Sequence, residues 1–224
     1  MGKVIILPYT TKQPITMLGE MSGVCWNGKN DAEANYKRGL SCLSSGHGRT
    51  FEFPDVYMIL DGYSARVIRE WYTHIGGSPT RLQESTRYVN YQEGFPYMTP
   101  PSINQNKEAK KIYDAMMKNI LYSLQCLDKM GIPREDSALV LPLGMETKVI
   151  CKHNMRNLID MSHQRLCSRA YHEYQRLFSD LCEALRCYSE EWRYVTDNYF
   201  KPKCVLTGYC TEEKSCGRKQ KIKE

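Results

Sequence analysis

No stretch of the 224-residue sequence stays apolar for the roughly 20 residues that a bilayer-spanning helix requires. The opening MGKVIILPYT has neither the basic segment, the long apolar stretch nor the small-residue cleavage site of an export signal. A soluble, cytoplasmic chain with no membrane partner is expected. A Walker loop, a GxGxxG turn and an HExxH helix are all missing, so the common nucleotide-binding and zinc-protease signatures do not apply. There is also no internal repeat and no low-complexity linker. With hydrophobic residues at 42% and charged residues at 25%, the composition is that of a globular protein, and the length suits one sizeable compact domain.

The chain carries a formal charge of +6, which invites a nucleic-acid partner until the charge is located. The last eleven residues hold Lys214, Arg218, Lys219, Lys221 and Lys223 against Glu224, a sum of +4, leaving +2 for the other 213 residues. The excess is a tail on a nearly neutral body, and no nucleic-acid partner is expected. Ten cysteines without an export signal read as reduced thiols, most of them core filler. Cys204, Cys210 and Cys216 recur at six-residue steps. Three thiolates plus one more ligand could hold Zn²⁺, but this is not CxxC spacing, and no metal is expected. The body, 1–200, reads as the catalytic domain and 201–224 as a cysteine-containing basic tail.

Along the chain, Val4–Leu7 reads as a strand, and Tyr36–Leu43 as helix. TFEFPDVYMIL, 50–60, is a core strand entered at Pro54. Ser64 caps a helix over ARVIREWYTH that Gly76–Gly77 ends, which puts His74 at a helix end beside a loop. The stripe Ile112, Met116, Ile120, Leu124 and Leu127 predicts an amphipathic helix from Lys107 to Met130, stopped by Gly131 and Pro133. ALVLPLG, 138–144, reads as a strand. A helix then begins near Asn154, and a last long helix, 168–190, turns Ala170, Tyr174, Leu177, Phe178, Leu181 and Leu185 inward. Strands interspersed with long helices give an α+β or α/β domain.

The chemistry concentrates in REWYTHIGGSPTRLQESTRYVNY, 69–91, which contains the dense polar run Gln83, Glu84, Ser85, Thr86, Arg87 and Tyr88. An arginine fork grips phosphate, a serine hydroxyl shares its oxygens, and Gln or Glu reads a base edge. The same composition also fits a solvated turn closed by local ion pairs.

This run resembles the signature of the flavin-dependent thymidylate synthases, which reads Arg-His-Arg, a spacer, then Ser-x-Arg-Tyr. Here the histidine is His74 and the ending is Ser85, Thr86, Arg87 and Tyr88. GHGRTFEF, 46–53, is similar to the family's His-x-x-x-Phe-Glu-His element. GIPREDSALVLPLGMETKV, 131–149, is similar to its Pro-Arg-Glu, Leu-Pro and Thr-Arg stretch, and NMRNLIDMSHQRLCSRAYHEY, 154–174, to its Asn-x-Arg-x-Leu and Ala-Gln-x-Glu helices. The departures are Thr73 and Ile75 in place of both arginines, a spacer two residues longer, Phe53 for the second histidine, Lys148 for the arginine of the Thr-Arg pair, and Gln175 with Arg176 one place on.

The resemblance implies an α+β fold with a mixed or antiparallel central sheet flanked by long helices, assembled as a homotetramer with active sites between subunits. It implies reductive methylation of dUMP with methylenetetrahydrofolate as carbon donor and NADPH reducing bound FAD; another pyrimidine nucleotide as substrate is the alternative. No cysteine nucleophile is needed. By the same resemblance, Arg87 takes the nucleotide phosphate, and Ser85, Glu84, Gln83 and Glu70 take phosphate or base. Lys148 and Arg176 face the uracil and its developing charge, with Ser85 also in a catalytic role. Flavin contacts fall on Thr73, His74, Ile75, Asn154, His163 and Arg165, and Arg81 takes over a phosphate contact from the missing arginines.

Overall fold

The computed structural model describes residues 2–221. Met1 and 222–224 lie outside the described residues, and with them Lys223 and Glu224 of the basic tail. The elements in chain order are β1 (Lys3–Ile6), α1 (Pro14–Gly23), α2 (Ala32–Ser44), β2 (Asp55–Ser64), α3 (Ala65–Trp71), β3 (Thr80–Gln83), α4 (Pro101–Asn104), α5 (Lys107–Lys129), α6 (Arg134–Ser137), β4 (Glu146–Asn154), α7 (Met155–Arg165), α8 (His172–Tyr188), α9 (Glu190–Tyr199) and α10 (Lys203–Thr207). The strands form one four-stranded antiparallel sheet in the order β1-β2-β4-β3. The expected mixed helix and sheet architecture is borne out. The chain divides into two compact units, each assembled from separate segments.

The first unit comprises Met1–Lys3, Leu60–Thr73 and Leu82–Val149. Its helix α3 starts where Ser64, extended and fully buried, accepts the Val67 N–H at 3.2 Å. The helix stops at Trp71, short of the expected His74, because the Thr73 hydroxyl donates to the Glu70 carbonyl at 2.7 Å and closes the last turn. A small core gathers Tyr91, Phe95, Met117, Leu124 and Met145. Helix α5, capped by Asn106, forms as expected, but its inward line runs through Tyr113, Met117, Ile120, Leu121 and Leu124. Ile112 and Met116, expected inside, are 65% and 57% exposed, because the buried line lies one position round from the one their spacing suggests.

The expected strand over 138–144 is not one. Ala138–Val140 is a single 3₁₀ turn, Pro142 has no N–H for a ladder, and Gly144 sits under the Tyr113 hydroxyl, where a Cβ would come within 2.6 Å. The strand is the next segment, β4, which begins with Thr147 and Val149 inward and Glu146 and Lys148 outward.

The second unit comprises Val4–Ile59, His74–Arg81 and Ile150–Glu224. Its core is larger: Ile15, Leu18, Val56, Met58, Met155, Leu158 and Met161 have no exposed surface, nor do Tyr174, Leu177, Phe178, Leu181 and Leu185 of α8. Helices α1 and α2 meet backbone to backbone. A Cβ on Gly19 would collide with the Asn35 carbonyl, and one on Gly39 with the Ile15 carbonyl, so both positions require glycine. The expected helix over 168–190 is shorter and is followed by another. Residues 166–170 turn, leaving Ala170 outside α8, and Ser189 adopts extended backbone and caps α9 by accepting the Trp192 N–H.

Residues from both ends of this unit are stitched together. The Glu191 carboxylate accepts the Thr16 N–H at 3.0 Å and the Thr16 hydroxyl at 2.5 Å, at the start of α1. Trp192 Nε1 donates to the Thr11 carbonyl and the Tyr188 hydroxyl to the Thr10 carbonyl.

Candidate active site

In the first unit, the residues expected to hold a nucleotide lie along one strand end. The Glu84 N–H donates to the Lys148 carbonyl at 2.8 Å and Gln83 Nε2 donates to Thr147 Oγ1 at 3.3 Å, which sets Gln83 and Glu84 beside the Thr147–Lys148 pair. The chain then turns. The Ser85 hydroxyl accepts the Arg87 N–H, and the Ser85 carbonyl accepts the N–H groups of Tyr88 and Val89. Arg87 Nε lies 2.8 Å from Glu135, and its guanidinium stands 5.9 Å over the Tyr88 ring. Lys148 Nζ sits 3.6 Å from Asp61, which Lys3 also approaches at 3.6 Å.

These ion pairs are half-open to water, with the Arg87 and Lys148 side chains 63% and 56% exposed. Exposed pairs contribute at most about 1 kcal/mol, so a phosphate that offers two oxygens to a guanidinium can displace the carboxylate. Glu70 lies in the last full turn of α3, and Thr73 follows it in the same unit. Tyr91, just beyond the polar run, has a buried hydroxyl with no partner among the described residues, and burial, then the charge of Glu84, raises its pKa.

In the second unit the polar residues interlock. Arg165 Nε donates to His74 Nε2 at 3.0 Å, the Arg165 guanidinium lies 4.3 Å over the Tyr174 ring, and the His74 and Tyr174 rings meet edge to face at 6.1 Å. Burial, then the charges of Arg165 and Arg81, pushes His74 down to about 4. His74 is therefore neutral near pH 7, with its proton on Nδ1 and a lone pair for Arg165. His153, fully buried on β4, is likewise pushed to about 4 by burial, and its Nδ1 is 2.5 Å from Asn157 Oδ1.

Asn154 caps α7 by accepting the Asn157 N–H at 2.9 Å. Gly77, at φ +70°, packs so close to the Asn154 side chain that a Cβ would collide with it. Gly76 and Gly77 thus seat the His74 loop on the start of α7 rather than ending a helix. Ile75 is 71% exposed. His163, in the last turn of α7, has a buried Nε2 with no partner among the described residues and lines a cavity of about 330 Å³ together with Arg165 and Arg169. Arg176 is on the outer side of α8, 3.7 Å from Asp180, and is not among the residues lining that cavity.

Of the expected flavin contacts, His74, Ile75, Arg81, Asn154, His163 and Arg165 fall in the second unit and Thr73 in the first. Of the expected nucleotide contacts, Glu70, Gln83, Glu84, Ser85, Arg87 and Lys148 fall in the first unit and Arg176 in the second. His153, Asn157 and Tyr174 were not foreseen at the site. The alternation of β4, with Val149, Cys151 and His153 on one side, is the sequence signal that points to His153.

The family described as Thymidylate synthase complementing protein matches residues 7–188. The chain is 28% identical, over 186 residues covering 81% of it and 76% of the relative, to a protein of Geobacter sulfurreducens named flavin-dependent thymidylate synthase. Proteins of the same name from Clostridium tetani and Pyrococcus horikoshii are each 27% identical, with 99% and 95% of this chain covered and 96% and 90% of the relative.

Proposed function

The chain belongs to the thymidylate synthase complementing protein family, and on that premise we propose that it is a flavin-dependent thymidylate synthase. It methylates dUMP to dTMP with methylenetetrahydrofolate as carbon donor and NADPH as reductant. The observation that carries this reading is the setting of Gln83 and Glu84 beside Thr147 and Lys148, with exposed Arg87 two residues beyond Ser85. That is a hydrogen-bonding edge followed by displaceable cations, as a nucleotide monophosphate requires.

The second unit's residues suit a flavin. Neutral His74, its Nε2 held by Arg165, offers its Nδ1–H as a fixed donor, the Arg165 guanidinium is a fixed cation, Arg81 adds a second charge, and the Nε2 of His163, without a partner among the described residues, has hydrogen-bonding capacity to spare. When bound, FAD supplies the hydride that reduces the transferred carbon. The protein's part is orientation and electrostatics. Arg87 and Ser85 hold phosphate, Gln83, Glu84 and Glu70 fix the base edge, and Lys148 and Arg176 stabilise negative charge on the uracil. His74, Thr73, Ile75, Asn154, His163 and Arg165 hold the cofactor, and Arg81 takes a phosphate contact. An Arg81→Ala variant with undiminished affinity for flavin and nucleotide removes that last assignment.

We assign 1–200 to the catalytic domain and 201–224 to an appended segment. We place the chain in the cytoplasm, in keeping with the absence, among the described residues, of any helix long and apolar enough to cross a membrane. A homotetramer with active sites between subunits is supported by the apolar residues that α5 leaves exposed, Ile112, Met116 and Tyr122. Light scattering of the purified protein and of Met116→Asp tests it, the variant being expected to dissociate.

Product analysis by mass, with NADPH and methylenetetrahydrofolate and with dUMP, UMP or dCMP offered in turn, tests the function. Yellow protein that forms dTMP from dUMP is expected. A colourless protein that takes up no FAD overturns the reading. Turnover of UMP or dCMP but not dUMP moves the substrate, an alternative motivated by Thr73 and Ile75 standing where ordinary family members have arginine.

A further inference from the structure

Four of the ten cysteines, Cys167, Cys204, Cys210 and Cys216, line the same cavity in the second unit. Three of them carry the six-residue spacing, and the fold adds Cys167 from the turn after α7. Among the described residues, no three His, Cys, Asp or Glu side chains converge closely enough to hold a metal ion, so coordination does not account for the grouping.

The geometry of the C-terminal segment does. Arg218 Nη1 donates to the Leu166 carbonyl at 3.2 Å, and Glu212 lies 3.9 Å from Arg169. Residues 212–218 therefore run alongside 166–169 in the opposite sense, and Cys216 and Cys167 line the same cavity. The other two thiols are placed differently. Cys210 is buried, its N–H bound to the Gln220 carbonyl at 2.8 Å, and Cys204 is half-buried on α10. Cys216 is exposed, and the Ser168 hydroxyl and the Arg218 backbone N–H, with the Arg218 charge, hold its thiol below the usual range.

We propose that Cys216 and Cys167 form a redox pair, which on oxidation by a peroxide fastens the C-terminal segment to the end of α7. The Cys216 thiolate attacks one peroxide oxygen. The O–O bond breaks, hydroxide leaves, and the sulfur becomes a sulfenic acid. The Cys167 sulfur then attacks that sulfur. The S–S bond forms as S–O breaks, and the hydroxyl departs with the Cys167 proton as water. Two thiols lose two electrons and two protons, and one peroxide becomes two waters.

The test uses the full-length wild-type protein, treated with stoichiometric hydrogen peroxide, alkylated and digested with trypsin without reduction. Residues 166–169 (LCSR) and 215–218 (SCGR) are tryptic peptides, so the expected product is their disulfide-linked mass, abolished by dithiothreitol. Before oxidation, Cys216 is expected to alkylate about tenfold faster than Cys25 and Cys187, the other exposed cysteines. In Cys167→Ser, dimedone is expected to trap the sulfenic acid on Cys216. Equal alkylation of the three exposed thiols, a disulfide that omits Cys216, or stoichiometric zinc in protein purified without chelator overturns the proposal.

Discussion

In the first unit, Gln83, Glu84, Arg87 and Lys148 face water, and Arg87 and Lys148 pair with the carboxylates of Glu135 and Asp61. In the second, His74, His153 and Arg165 are buried or half-buried and held in a fixed set of contacts. The first unit's cluster around Tyr91 and Met117 retains 4–9% exposure at each buried member, while its Leu60, Val67, Trp71 and Val149 have none, like most of the second unit's core. Weakly committed cations suit a ligand that must bind and leave at every turnover. A neutralised, prepaid constellation in a deep core suits one that stays.

Stability gives the largest way to break this contrast. Leu181→Ala removes a side chain from the deepest part of the second core and is expected to cost about 4 kcal/mol, against about 2 kcal/mol for Leu124→Ala in the first. Equal losses in denaturant titrations would show that the cluster around Tyr91 and Met117 is packed as tightly as the second core.

The next effect is pH. His74 and His153 both have folded values of about 4, below the usual 6.5, so the unfolded chain takes up protons first as pH falls. The associated stability is complete above pH 6.5 and is lost progressively toward pH 4, by about 3 kcal/mol for His153. Urea midpoints measured from pH 7.5 to 4.5 should show this decline, and a flat profile would refute it.

Smaller again is the division of ligands. Arg165→Ala should weaken flavin uptake by about 10- to 100-fold, and Arg87→Ala should raise the nucleotide KM by a similar factor while leaving bound flavin unchanged, both at the worth of a charged hydrogen bond. If each variant impaired both ligands equally, the two sets of residues would not be functionally separate. Smallest is Glu135→Gln, which frees Arg87. Stability should change by less than about 1 kcal/mol, and nucleotide affinity should rise, as equilibrium dialysis would report.

How much of this could be read in the sequence depended on whether the signal was local. The span of helix α5, the Ser64 cap of α3 and the inward face of α8 from Tyr174 to Leu185 all follow from periodicity and capping chemistry, and the structure bears them out. The strand ALVLPLG was misleading because apolar residues accumulate there without the N–H pattern a ladder needs. The true strand β4 was hidden because its outward side carries Glu146, Lys148 and Lys152. The polar run from Gln83 to Arg87 was visible, since it is contiguous. The His74, Arg165 and Tyr174 contact joins positions 91 and 100 residues apart, and no spacing rule announces it. Thr73 and Ile75 flank His74 in sequence, yet the pair falls on either side of a boundary that only the contacts reveal.

The bonds from Tyr188, Glu191 and Trp192 to Thr10, Thr11 and Thr16 bear on when the protein can fold. Translation delivers Thr16 about 175 residues before its partner, so the first turn of α1 has no carboxylate to satisfy it while most of the chain is being made. The second unit reaches its native hydrogen bonding only after α9 has left the ribosome, and a nascent chain stalled before Tyr188 holds an N-terminal segment still waiting for its closure.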